Sequence, residues 1–90
     1  MTKKKAVQKA DIDEGKLSSI LILVGDEFVR ASSKNPEFNS CHEGYAVILE
    51  ELDELWDQVK MKSSKRSVVN MREEAIQVAA MAIRFYHDLL

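Results

Sequence analysis

Apolar residues recur along most of this chain at the three- and four-residue spacing of helices rather than at the two-residue alternation of strands. Leu17, Ile20, Leu21, Val24 and Phe28 form the first such series. Residues 19–24, Ser-Ile-Leu-Ile-Leu-Val, would by themselves also suit a buried strand, but the helical series continues through Phe28. A first helix is therefore predicted over residues 11–31, with Asp11 and Glu14 at capping-box spacing. Residues 32–39 contain Pro36 and read as a loop. Ser40 followed by Glu43 repeats the capping signature and opens a second helix, predicted to reach residue 61. A break at residues 63–66 precedes a third helix over residues 67–88.

At about 100° per residue, the second helix gathers Ile48, Leu49, Leu52, Leu55, Trp56 and Val59 on one apolar arc, which is expected to face a core. Glu50, Asp53 and Asp57 lie broadly opposite that arc. Glu51 and Glu54 sit at its shoulder with Val47 and Gln58. Two acids three residues apart beside a packed face can converge on one cation, or can simply extend to water. In the third helix Glu74, Gln77, Met81, Arg84 and Asp88 share a stripe, and Glu74 and Gln77 repeat the three-residue spacing. The rest of residues 75–83 is apolar in every direction, as in an interior helix, so Gln77 needs a polar partner. Two helices that each offer an oxygen pair can build a site for a hard cation such as Mg²⁺. The alternative is a hydrogen bond between Gln77 and a glutamate across the helices.

Ninety residues suit one small domain. Residues 1–10 carry Lys3, Lys4, Lys5 and Lys9 with no acid and are read as a basic, flexible arm, leaving 11–90 as a single domain. A net charge of −2 argues against a dedicated nucleic-acid binder. With 3 Gly and 1 Pro the chain lacks the turns of an all-β fold, so the expected class is all-α. One Cys cannot form an internal disulfide, and no uncharged run approaches the ~20 residues of a membrane span. Asp11, Asp13 and Glu14 interrupt the stretch between the lysines and the first apolar run, which disfavours a signal peptide and points to the cytoplasm. Three helices cannot cover a third helix that is apolar on all sides, and Ala75, Ala79, Ala80 and Ala82 would let another helix approach closely. A homo-oligomer, dimer or tetramer, is expected, with sites near the subunit interfaces.

Several other chemistries lack their residues. His42-Glu43 has no second histidine at zinc-protease spacing, and no Glu-x-x-His pair supplies a di-iron site. Cys41 stands next to His42 in sequence rather than opposed to it, as a nucleophile and its base would be. There is no glycine-rich phosphate loop.

The stretch His42-Glu43-Gly44-Tyr45-Ala46-Val47-Ile48-Leu49-Glu50-Glu51-Leu52-Asp53-Glu54-Leu55-Trp56, followed by Met71-Arg72-Glu73-Glu74-Ala75-Ile76-Gln77-Val78-Ala79-Ala80-Met81-Ala82, resembles MazG-type nucleotide pyrophosphohydrolases, in particular the small phage-associated ones. The likeness covers residues 38–90. The family pattern is Glu-Glu-x-x-Glu, then Glu-x-x-Asp on a later helix. Glu50, Glu51 and Glu54 fill its first half and Glu74 begins the second, while Gln77 stands where the family has Asp.

The resemblance implies a bundle of three to four helices, assembled as an oligomer, that cleaves a nucleoside triphosphate between the α- and β-phosphates. The products are a monophosphate and pyrophosphate, a nucleotide-pool house-cleaning reaction. It implies Mg²⁺ (or Mn²⁺) held by Glu51, Glu54, Glu74 and Gln77, with Glu50 assisting a second metal or orienting the attacking water. Arg84, Lys60 and His42 become candidate substrate contacts, although Arg84 could equally pair with Asp88 one turn on. No nucleic acid or membrane partner is expected. Gln77 leaves a second reading open, a catalytically weakened oligomerisation or nucleotide-sensing module on the same scaffold.

Overall fold

Local capping sets the boundaries of three helices in the computed structural model, which describes residues 11–90. The basic arm read at residues 1–10 lies outside the described residues. Helix α1 spans Glu14–Lys34. Its N-cap is Asp13, not Asp11: the Asp13 carboxylate accepts from the Lys16 N–H at 2.9 Å, which places Glu14 in the first turn, where the helix dipole favours an acid. The helix runs past residue 31 because Asn35 closes it, its backbone N–H and its side-chain amide both donating to the Ala31 carbonyl. Pro36 follows.

Helix α2 spans Cys41–Val59 and begins at the expected Ser40 cap, whose hydroxyl accepts from the Glu43 N–H. Glu43 reaches back one residue further than a capping box requires, accepting from the Asn39 N–H at 2.8 Å. The helix stops two residues short of the predicted end. Arg66 then donates to the freed Val59 carbonyl at 2.9 Å, across a single 3₁₀ turn at Ser63–Lys65. Helix α3, Val68–Leu89, is capped by Ser67, which accepts from the Asn70 N–H. The described residues contain no strand, and none of their helices is long and apolar enough to cross a membrane.

Helix α3 is central: α1 and α2 each pack on it and not on one another. The core is thin. Val24, Ala31, Phe38, Ala80 and Met81 are its buried apolar residues, with Phe28, Val47, Ile48, Phe85 and Leu89 half-buried around them. The loop between α1 and α2 is pinned to α3 by Arg84. That side chain is 3% exposed, donates to the Pro36 carbonyl at 2.8 Å and lies 4.4 Å over the Phe38 ring. Asp88 completes the anchor by accepting from the Phe38 N–H.

Gly44 fixes how α2 is turned. A Cβ there would lie 2.6 Å from Phe85 Cδ2 and 3.1 Å from Leu89 Cδ1, so only glycine lets α3 approach this closely. The packed face of α2 consequently runs through Gly44, Val47, Ile48, Glu51, Leu55 and Gln58. This corrects the expectation that the whole arc from Ile48 to Val59 faces a core. Leu49, Leu52 and Trp56 are exposed, and Glu51 moves from the shoulder to the middle of the packed face. Helix α3 is likewise not interior on all sides, since Ala75, Ala82 and Ile83 are exposed. Gly44→Ala should destabilise the chain by about 1–2 kcal/mol although alanine is the better helix former, because the Phe85 ring cannot swing clear cheaply. A thermal melt with unchanged Tm would show that the ring has room to turn.

Candidate metal centre

Glu51 and Glu54 on α2 and Glu74 on α3 converge, each offering a carboxylate oxygen within 4.8 Å of the others. The three-residue spacing brings the first two to one side of α2, and the Gly44 contact turns that side toward α3. Glu51 and Glu74 are half-buried and Glu54 is exposed. One oxygen of Glu51 and one of Glu74 are cut off from solvent with no hydrogen-bond partner. A buried carboxylate oxygen without a donor is unfavourable unless a proton or a cation meets it.

The electrostatics agree with the geometry. Burial first, then a hydrogen bond with the Glu54 carboxyl and repulsion from Glu54, Glu74 and Glu27, pushes the Glu51 carboxyl up to about 7. The Glu74 carboxyl is also raised, by burial and then by the charges of Glu54, Glu73 and Asp57. No ion pair relieves the cluster among the described residues: Lys60 is 3.0 Å from Asp57, and Arg30 is taken by Glu27. The donor set is three hard oxygens on two helices, which suits Mg²⁺ or Mn²⁺ with part of its water shell retained.

Beside the cluster a cleft of about 440 Å³ opens between α1 and α2 with α3 as its floor. Glu51 reaches it from the cluster, and Glu50, exposed, stands on the same wall. Gln77, Met81 and Arg84 form the floor, as their shared stripe predicts. Gln77 is half-buried, and no hydrogen bond joins it to a glutamate of the described residues, so the interhelical amide–carboxylate bond weighed above does not form. Arg84 does meet Asp88, at 3.7 Å, in addition to its bond to Pro36, while its Nε is buried without an acceptor. The Asp88 carboxyl is held below the usual range by its hydrogen bond with His87, by the Phe38 N–H and by the Arg84 charge.

Two residues read as substrate contacts lie apart from this cleft. His42 is exposed in the first turn of α2, and Lys60 caps the far end of that helix beside Asp57; neither lines the cleft. Conversely, the cleft contains a pair that sequence reading passes over. Glu27 and Arg30 on α1 form a two-point ion pair, with Arg30 Nε donating to Glu27 Oε1 at 2.9 Å, and both line the cleft opposite Glu50 and Glu51. Their three-residue spacing is the only trace they leave in the sequence, and it is a spacing common on solvated helices. Comparison of the chain with family models, with curated proteins and with solved structures finds no match.

Proposed function

We propose that this chain is a Mg²⁺-dependent nucleoside triphosphate pyrophosphohydrolase on a MazG-like scaffold that assembles from more than one chain. The observation that carries the reading is the convergence of Glu51, Glu54 and Glu74, with two of their oxygens buried and without a donor. Its family name rests on the sequence resemblance of residues 38–90.

On this reading Glu51, Glu54 and Glu74 hold Mg²⁺, and Gln77, next along the stripe from Glu74, can add a neutral amide oxygen. The ion supplies charge neutralisation at the triphosphate and lowers the pKa of a bound water. The remaining work falls to the cleft. Glu50 is placed to orient the attacking water and accept its proton at the carboxylate. Arg30, exposed on the facing wall, can turn from Glu27 to a phosphate oxygen, whereas Arg84 is committed to holding the loop at Pro36. Positioning and charge neutralisation are most of what cleavage at a phosphorus centre requires.

The test is pyrophosphate release from a panel of ribo- and deoxyribonucleoside triphosphates, with and without Mg²⁺. The expected result is Mg²⁺-dependent release of one pyrophosphate per monophosphate from at least one of them. Mg²⁺ binding without release from any would favour the weakened or nucleotide-sensing module and put the cause at Gln77.

A further inference from the structure

Glu43 and Glu51 both line the cleft from α2, eight residues apart, which is about 12 Å along the helix at ~1.5 Å per residue. Glu51 brings the carboxylate cluster to one end of the cleft. Glu43 stands at the other end, where the loop between α1 and α2 closes the wall with Pro36 held by Arg84. Between the two ends Ala31, Val47 and Met81 offer apolar surface. A cation at the cluster fixes where phosphates sit. A nucleotide laid along the cleft from there rests its base on the apolar stretch and brings the outer edge of the base to Glu43. We propose that Glu43 is a specificity-determining residue: the cleft takes nucleotides whose base carries an exocyclic amino group at that edge (cytosine or adenine) in preference to those with a carbonyl in its place (uracil or hypoxanthine). The inference rests on the nucleotide reading above and adds which bases that site selects.

The chemistry of that end is one-sided. Its donors are engaged: the Asn35 amide donates to the Ala31 carbonyl, and Arg84 donates to the Pro36 carbonyl and pairs with Asp88. The Arg84 Nε has no acceptor, but it is sealed from solvent and out of a ligand's reach. The Glu43 carboxylate is left as the acceptor. It is held in place by Asn39, whose backbone N–H donates to Oε1 at 2.8 Å and whose side-chain amide donates to Oε2 at 3.3 Å. Each oxygen keeps a further lone pair for a ligand. An amino N–H at the edge of a base donates to it. A carbonyl oxygen in the same place meets it lone pair to lone pair and gives up its bonds to water for nothing. Capping accounts for the bond to the Asn39 N–H, but the same carboxylate also lines the cleft. Because Glu43 is exposed, the expected preference is about tenfold, well below that of a fully buried pair.

Calorimetric titration of the full chain in Mg²⁺ with the α,β-methylene analogues of CTP, UTP, ATP and ITP tests it, because binding is then read without cleavage. The CTP analogue should bind about tenfold tighter than the UTP analogue, and the ATP analogue about tenfold tighter than the ITP analogue. In Glu43→Gln the amide oxygen still accepts from the Asn39 N–H, while the amide N–H can turn to a carbonyl. Each preference should therefore shrink to within about twofold. A variant that loses affinity for all four alike and keeps both preferences would make Glu43 a helix cap only and overturn the proposal. Equal affinities within both pairs in the unaltered chain would overturn it even if the variant fails to fold, and would leave the nucleotide reading standing. Saturable binding of none of the four would overturn that reading and this inference together.

Discussion

Glu51→Gln should weaken Mg²⁺ binding at least tenfold while making the metal-free fold more stable at pH 8. Both effects come from one fact: Glu51 is the acid at the middle of the α2–α3 contact, with an oxygen that has no donor. Its carboxyl rises from about 4.5 to about 7 through burial, its contact with Glu54 and the neighbouring acids. An acid whose pKa is raised by folding binds its proton more tightly in the folded chain. Its stabilising contribution is complete below about pH 4.5 and is lost as the pH climbs to about 7. Glu74, also raised, acts in the same direction. Glu27 and Asp88 are lowered instead, so their contributions are lost only in more acidic solution and do not mask this window.

The metal-free Tm should therefore fall between pH 5 and pH 8, by an amount equivalent to about 1–2 kcal/mol once solvent screening on the open side of the cleft is allowed for. In the Glu51→Gln variant the amide has no proton to lose, so the fall should flatten. Scanning calorimetry of both proteins across this range, in chelator and then in Mg²⁺, checks it. Mg²⁺ should restore the unaltered chain at pH 8 and do little for the variant. Asp53→Asn, on an exposed acid of the same helix that lies outside the cluster, should leave both profiles in place. Identical pH profiles for Glu51→Gln and the unaltered chain would contradict the assignment of the proton to Glu51.

Gln77→Asp should have the opposite signature: tighter Mg²⁺ binding, faster pyrophosphate release and a metal-free fold weaker by about 1 kcal/mol. Gln77 is half-buried on the cleft floor and has no glutamate partner to lose. A fourth acid near Glu51, Glu54 and Glu74 adds repulsion and partial desolvation while the cation is absent, and attraction once it is present. Thermal melts over a Mg²⁺ series separate the two contributions. A variant destabilised by the same amount at every Mg²⁺ concentration would remove Gln77 from the cation site.

The second helix was legible because Ser40 and Glu43 give the capping signature ahead of a periodic apolar run, and the third because its apolar run resumes after the break at residues 63–66. The start of α1 was harder. Asp11 and Asp13 can both accept from a helix N-terminus, and only the folded backbone shows that Asp13 does. For Glu51, Glu54 and Glu74 the spacing left a cation site and solvated acids both open, and the resemblance named them as ligands; in the structure their carboxylates come together. The rotation of α2 was not legible, because an apolar arc announces that it will be covered without saying by what. Ile48, Leu55 and Val59 are half-buried, whereas Leu49, Leu52 and Trp56 stay exposed. What settles the angle is Gly44, whose missing side chain admits Phe85, and a single glycine inside a helix carries no such message in sequence. Glu27 and Arg30 went unread because their role depends on α1 standing across a cleft from α2, a relation between elements that no local pattern contains.

Calorimetric titration of the chelator-treated chain with Mg²⁺ at pH 6 and pH 8 tests the central claim most directly. The prediction is saturable binding that releases a proton near pH 6, is tighter and nearly proton-neutral at pH 8, and is lost in Glu51→Gln. No saturable heat at millimolar Mg²⁺ at either pH, or binding that survives Glu51→Gln and Glu54→Gln unchanged, would contradict it.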